Sequence, residues 1–420
     1  MGVSSTERFR IDLREVDDVV GRILSAAASH RPTFVYERLS SRTRRPVRSY
    51  IGFGGRVSEA SAKGGADLAP TGFRLALLSY EALTDAPIGG DTPRQLWLEP
   101  SALLEVDHEA DTLTVRGDSP FSEDALREAL ADGEKSEAND SDDFRPTPEE
   151  ATGWLFHPAK EDFADAVGAM KLALSNRAVR GAVLSVQASK DTDIDPLTAY
   201  GRLRRINPST CMFFVESGDF ALWGATSLPI MEIRGQRIVA ETDGATRRVE
   251  PGQDLHWEPN AKEIEEYDLV VSALREDLQP VIEAGSLRFI ADREARQFFN
   301  LQHLFAEIEG ELAPAVDAIS ALRSLTPHGA ASGYPKTAAV ELIANYDLKP
   351  RGPYGGAVVL FGPEGTVDAA CVIRSAWKIG QRVYTRSGAK IVSGSDANEE
   401  YEESVMKTLP LRRSVALAGR

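Results

Sequence analysis

The sequence predicts an α/β or α+β protein in which helices pack around a large mixed β-sheet core, with a smaller region at the N-terminus. Short runs rich in β-branched, aromatic and other apolar residues, punctuated by Gly and Pro, recur along the chain and read as strands. Between them, apolar residues recur three and four apart, the mark of helices buried along one stripe. No internal repeat is present, so one mixed core accounts for the pattern.

Taken in order, residues 33–37, 48–53, 96–99 and 112–116 fit strands, and residues 1–132 are expected to form an N-terminal α/β region. Apolar periodicity then stops. From 133 to 150 (GEKSEANDSDDFRPTPEE) acids, Ser, Asn and Pro take over, the composition of a solvated acidic linker. Residues 151–415 are expected to form the main domain. It opens on a helix whose Phe163, Val167, Met170 and Leu174 lie four, three and four apart. A strand at 181–186, a helix at 197–205 and strands at 212–216, 220–223 and 230–233 follow. A long helix is expected over 262–283, with further helices over 298–312 and 336–346. Strands across 355–361, 369–377 and 382–385 and a closing helix over 398–409 complete the chain.

With 420 residues, 42% of them hydrophobic and 27% charged, the composition is that of a soluble globular protein with a sizeable core. The 48 basic against 64 acidic side chains leave a formal charge of −16, which argues against a nucleic-acid partner. No run approaches the roughly 18 apolar residues that cross a bilayer, so no membrane partner and a cytoplasmic location are expected. Two cysteines, Cys211 and Cys371, lie far apart in apolar surroundings. They exclude a disulfide framework and suit a reducing compartment.

Two carboxylate pairs, Glu263 with Glu266 (AKEIEEY) and Glu400 with Glu403 (NEEYEES), sit three apart on expected helices. Such residues share a face and can present oxygens to one point, as a hard cation such as Mg²⁺ requires. They equally fit solvated helix faces. Lys407, one turn after Glu403, can reach an anionic ligand or form a surface pair. The run RGPYGGAV places Tyr354 on a turn entering a strand, and Arg374 falls on the next strand; a guanidinium fork suits a carboxylate, while Gly-Gly before a strand also makes a plain turn. His303 (FNLQHLF) falls on an apolar helix face, where a histidine more often serves the core than catalysis. In SGYPK the backbone N–H groups of Ser332 to Lys336 can meet an anion, or the serine and proline can simply cap.

The order of these segments is more telling than any one of them. GAVLS, NPSTCMFF, GAT, KEIEEY, LQHL, ASGYPK, RGPYGGAV, VIRS, SGAKIV and EEYEES run in the same order as the motifs of the chorismate-utilising enzymes. The chain resembles component I of anthranilate synthase and its relatives over about residues 154–407, and FVYER and RSYIGFG are similar to the anthranilate synthase N-terminal region. The resemblance implies the chorismate-binding fold, a Mg²⁺ cofactor and chorismate or a close derivative as substrate. It implies that Glu263, Glu266, Glu400 and Glu403 hold the metal, with Glu263, Glu400 and His303 in the catalytic set. Arg374 and Tyr354 would then grip the enolpyruvyl carboxylate, beside Gly388 and Lys407. Thr246, with Ala245 before it, would bind the ring carboxylate through the backbone. A separate glutamine amidotransferase subunit and a homodimer are the implied protein partners.

The reactive side departs from the family. Where the family reads GASPE, with a glutamate that protonates the departing hydroxyl, this chain reads GATSL and carries Leu228. The position of the water-activating lysine of isochorismate and salicylate synthases is Gly181, that of the aminodeoxychorismate synthase lysine is Gly244, and the family threonine before SGxPK is Ala330. Glu241, Asp243 and Glu276 lie near the altered motifs and are candidates for a displaced acid. Arg38 and Cys211 replace a serine and an aromatic of the family's tryptophan pocket, so tryptophan inhibition is not expected. The implied activity is amination or pyruvate elimination in a specialised pathway with an altered reactive side. The alternative is a weakened chorismate-binding regulatory or partner subunit.

Overall fold

The computed structural model describes residues 7–14, 16–27, 30–59, 71–84, 86, 91–131, 152–175, 179–249, 256–298, 301–347 and 349–419. The expected linker, 133–150, lies outside them. Ahead of it come β1 (Glu7–Asp12), β2 (Pro32–Leu39), β3 (Pro46–Phe53), β4 (Arg56–Ser58), β5 (Arg74–Leu78), β6 (Gln95–Glu99), β7 (Ala102–Asp107) and β8 (Thr112–Gly117). After it come β9 (Leu155–His157), β10 (Gly181–Asp191), β11 (Cys211–Ser217), β12 (Phe220–Thr226), β13 (Pro229–Arg234), β14 (Arg237–Arg248) and β15 (Arg288–Phe298). The remaining strands are β16 (Leu301–Glu311), β17 (Gly333–Tyr334), β18 (Ala357–Phe361), β19 (Val367–Cys371), β20 (Ser375–Ile379) and β21 (Arg382–Ile391).

Among the described residues these strands build two sheets. One runs β1-β8-β7-β3-β2-β11-β12-β20-β21-β10-β17 with β9 also on β10; the other runs β15-β16-β14-β13-β19-β18-β5-β6-β4. Their pairings are antiparallel throughout, so the helix-packed β core expected from the sequence is of the α+β class, its large sheet structure made of two antiparallel sheets. Strands from both sides of 133–150 share each sheet, through β2 with β11 and β5 with β18.

Period-two alternation places the two cores. Phe34 and Tyr36 of β2 join Leu75, Leu77, Phe213, Leu222 and Val358 in a cluster between the sheets, while Val35 points the other way into a cluster with Ile23, Tyr200 and Leu203 under helices. The helices of the first half are α1 (Val19–Ala26), α2 (Tyr80–Thr84), α3 (Glu123–Ala131), α4 (Lys160–Ser175) and α5 (Pro196–Ile206). The second half adds α6 (Ala261–Leu278), α7 (Ala318–Leu325), α8 (Lys336–Tyr346), α9 (Ala397–Lys407) and α10 (Leu409–Ala418). Local chemistry sets their starts: Asp195 caps α5 ahead of Pro196, and the Asp396 side chain accepts from the Asn398 and Glu399 N–H groups at α9. No described helix is long and apolar enough to cross a membrane. Cys211 and Cys371 are both free and buried, as expected.

Three expected elements differ. Residues 298–312 are not a helix; they hold the whole of β16 and the last residue of β15. Leu304, Ala306 and Ile308 alternate with Glu307 and Glu309, so the period is two, but β16 sits inside its sheet with Phe305 buried as well, and that blurs the alternation. His303 is therefore on a strand. The strand expected over 369–377 is broken at Arg374, which adopts φ 50° between β19 and β20. The closing helix stops at Lys407, and Pro410 starts a second helix.

Candidate active site

The glycine-rich turn before β18 is built from its buried arginine. Arg351 is 2% exposed, and its guanidinium donates to Asp347 (2.7 Å), Ala331 O (2.6 Å) and Val183 O (2.6 Å). It lies between the rings of Tyr80 and Tyr354, at 4.7 and 5.5 Å. The Arg351 and Gly352 N–H groups donate to the Glu81 carboxylate, which closes the turn from the N-terminal third of the chain. Gly356 is required there, because a Cβ would lie 2.1 Å from Leu78 O. Tyr354 is thus a buried phenol, its pKa pushed up to about 12 by burial. Its hydroxyl rests on Gly388, where a Cβ would come within 2.9 Å of it.

Around that hydroxyl the structure gathers charge. Arg374, turned by its left-handed backbone, has no side-chain partner among the described residues. Burial lowers its pKa, while Asp243, Glu403 and Tyr354, the ionisable groups it faces, oppose that shift. Lys407 pairs with Glu403 at 2.6 Å and donates to Gly388 O at 3.1 Å. His303 Nδ1 lies 2.9 Å from the Thr246 hydroxyl and 3.9 Å from Asp243. A bulge in β14 between Gly244 and Thr246 puts Ala245 at φ 53° and sets Thr246 opposite His303. Tyr354, Arg374, Gly388, Lys407, Glu403, His303 and Thr246 thus come from β14, β16, β21, α9 and two turns to one region.

The carboxylate pairs divide. Glu263 closes a capping box with Asn260 and accepts from Trp257 Nε1, so it faces the start of α6. Glu266, one turn on, is among the charges that Lys390 faces, and Glu400 lies one turn before Glu403 on α9. Among the described residues no three His, Cys, Asp or Glu side chains form a closed metal cage. Hard oxygens on two helices beside the cationic Arg374 and Lys407 fit Mg²⁺, which keeps several waters and takes one or two carboxylates plus substrate oxygens. Glu266 and Glu403 are the pair that could hold it.

The altered positions have physical reasons. A Cβ at Gly244 would lie 2.8 Å from Tyr267 Cα, so glycine lets α6 pack directly on β14 and no lysine fits. Leu228 is fully buried in an apolar cluster with Ala245, Leu304, Ala331 and Cys371. Of the three candidate acids, Glu241 is held by Arg296 at 3.1 Å and Glu276 accepts from the Tyr334 hydroxyl. Only Asp243 of those three reaches the site. Arg38 ion-pairs with Asp368 at 3.2 Å and contacts Cys211 Sγ at 2.9 Å, spanning the two sheets.

The family model for chorismate binding enzymes matches residues 61–413. The chain belongs to this family. An anthranilate synthase component 1 of Haloarcula marismortui is 30% identical over 364 residues, covering 79% of this chain and 67% of that one. Its counterpart in Haloferax volcanii is 30% identical over 362 residues, covering 80% and 69%. Among solved structures, anthranilate synthase component I from Streptococcus pneumoniae matches with TM-score 0.70 at 23% identity, covering 91% of each chain. The menaquinone-specific isochorismate synthase from Escherichia coli matches at 0.73 and 19% identity, covering 98% of this chain and 97% of that one. This is a chorismate-utilising enzyme fold resembling both.

Sequence reasoning missed two groups in this chorismate-binding domain: Lys390, inside the SGAKIV segment two residues beyond Gly388, and His328. His328 is buried with Nε2 3.1 Å from Glu241 O and Nδ1 3.2 Å from the Ala330 N–H, so it is a neutral ring with both nitrogens used. Burial holds the pKa of His303 and His328 down at about 4, against an ordinary 6.5. A base depressed in the folded state gives its full stability above 6.5 and loses it as pH falls toward 4. Each is expected to withdraw about 1–3 kcal/mol over that range. His328→Gln should flatten this part of the stability–pH curve in urea unfolding; an unchanged slope would show that His328 does not carry it.

Proposed function

We propose that the chain is a Mg²⁺-dependent enzyme acting on chorismate or a close derivative, by amination, elimination of pyruvate, or both. The observation that carries the reading is Arg374, a half-buried guanidinium with no side-chain hydrogen bond or ion pair among the described residues, set beside Tyr354 and Gly388. Desolvating a cation without a counter-charge is costly, and an anionic ligand relieves that cost. In this reading Arg374 and the Tyr354 hydroxyl hold the enolpyruvyl carboxylate, and the bulged β14 backbone at Ala245 and Thr246 holds the ring carboxylate. Neutral His303, fixed by Thr246, faces the ring. Glu266 and Glu403, with Glu263 and Glu400 beside them on α6 and α9, would hold Mg²⁺, which neutralises ring-carboxylate charge when bound. Ammonia would come from a separate glutamine amidotransferase subunit, in keeping with the relatives' designation as component 1.

The test is incubation of the purified chain with chorismate and Mg²⁺, with and without ammonium, followed by mass analysis. Chorismate is expected to be consumed with release of pyruvate or with nitrogen incorporated. Chelation by EDTA should stop this, and Glu403→Gln should raise the Mg²⁺ concentration needed by at least about tenfold, in line with the loss of one anionic oxygen ligand. Chorismate left intact under every condition would reject the reading.

A further inference from the structure

β21 carries one more ionisable group to this region. Alternate residues of a strand share a face, so Lys390 projects on the side of Gly388, under the Tyr354 hydroxyl. Lys390 pairs with Val183 of β10, and its stem crosses the neighbouring Gly181: a Cβ there would lie 3.3 Å from Lys390 Cγ. Any larger residue at 181 would compete for that space. The ammonium end makes no hydrogen bond or ion pair with the described residues. The charged groups facing it are Asp243 from β14, Glu266 from α6 and Lys407 from α9. Burial lowers its pKa below the usual lysine value and Lys407 adds to that, while Asp243 and Glu266 oppose it. A purely structural lysine takes a carboxylate or leaves its ammonium in water. Lys390 is half-buried and forms an ion pair with neither of the carboxylates it faces.

We propose that Lys390 is a catalytic base of the site, taking a proton from the nucleophile as it adds to the ring. This rests on the chorismate reading above. The nucleophile is water or ammonia. As its lone pair forms the new bond to a ring carbon, its proton passes to the neutral Nζ; the ring double bond shifts, the C–O bond of the departing hydroxyl breaks, and that hydroxyl leaves as water with one proton from solvent. Lys390 then returns its proton to solvent, so the sum is exchange of a hydroxyl for the nucleophile with loss of water. Lowering a lysine's pKa raises the fraction of neutral amine able to accept a proton at a given pH, which is the direction this role needs.

Competitive labelling of the full chain with acetic anhydride, read by peptide mass analysis, measures the ionisation of Lys390 without turnover. Lys390 is expected to titrate below the exposed lysines and to be protected by chorismate with Mg²⁺. Lys390→Met is expected to slow chorismate consumption about 10²–10⁴-fold and to remove the acidic limb of the pH–rate profile. Added ethylamine should partly restore Lys390→Ala, which separates a missing amine from a damaged fold. The ammonium-dependent and ammonium-free products identify the nucleophile. Titration of Lys390 with the exposed lysines, or wild-type turnover by Lys390→Met, overturns the proposal. A wild-type chain inert toward chorismate rejects the functional reading instead, and there too an ordinary Lys390 titration overturns the base.

Discussion

Arg374→Ala is expected to weaken chorismate binding by about 2–5 kcal/mol, a loss of about 30- to 5,000-fold, when titrated calorimetrically in the presence of Mg²⁺. Arg374 lies at the break between β19 and β20 with φ 50°, a conformation that costs a non-glycine residue about 1–2 kcal/mol. The fold accepts that cost and the desolvation of the guanidinium together, and no protein carboxylate is paired with it. A ligand carboxylate would offset the electrostatic part of that cost. Arg374→Lys keeps the charge but not the planar fork, so it should recover part of the affinity. Unchanged affinity in Arg374→Ala would mean that the carboxylate is held elsewhere, and Tyr354 would lose its role with it. The melting temperature of the variant serves as the control, since alanine faces the same backbone strain at that position.

Long amphipathic helices were readable because one buried stripe repeats over several turns. In α4, Phe163, Val167, Met170 and Leu174 are the four buried residues, as the spacing requires. β16 was misread because a strand covered on both faces loses its alternation, and β14 gave no signal because its ETDGATRR stretch is polar. Local and functional patterns also overlapped. Asn260 with Glu263 is a legible capping box, and in the structure that pattern engages Glu263, which the resemblance also assigns to a metal. In the candidate site, Tyr354, Gly388 and Lys407 are adjacent, which motif order implied but spacing could not show. Lys390 was overlooked although period-two counting from Gly388 puts it on the same face. What no one-dimensional pattern contains is that Gly181, about two hundred residues earlier, leaves room for its stem.

Leu228→Glu is expected to change the product as well as the rate. Its backbone is fixed on both sides, since the N–H donates to Thr226 Oγ1 at 3.2 Å and the carbonyl accepts from Cys371 at 3.0 Å, so the substitution alters only what the side chain presents. Buried among Ala245, Ala331 and Cys371, a carboxyl at 228 would resist ionisation and stay protonated near neutral pH. That is the state a general acid needs, and such an acid contributes about 10²–10⁴-fold. Stability should fall by about 1–3 kcal/mol in urea unfolding, the cost of an incompletely satisfied polar group. With chorismate and ammonium, the variant is expected to form anthranilate or aminodeoxyisochorismate faster than the wild-type chain does. Wild-type protein that makes either product as fast as the variant would refute a diverged reaction and direct attention to Asp243, 3.9 Å from His303, as the acid in place. In that case Asp243→Asn should abolish the product and Leu228→Glu should restore it in the double variant, because the two carboxyls would serve the same departing oxygen, one from β14 and one from the turn between β12 and β13.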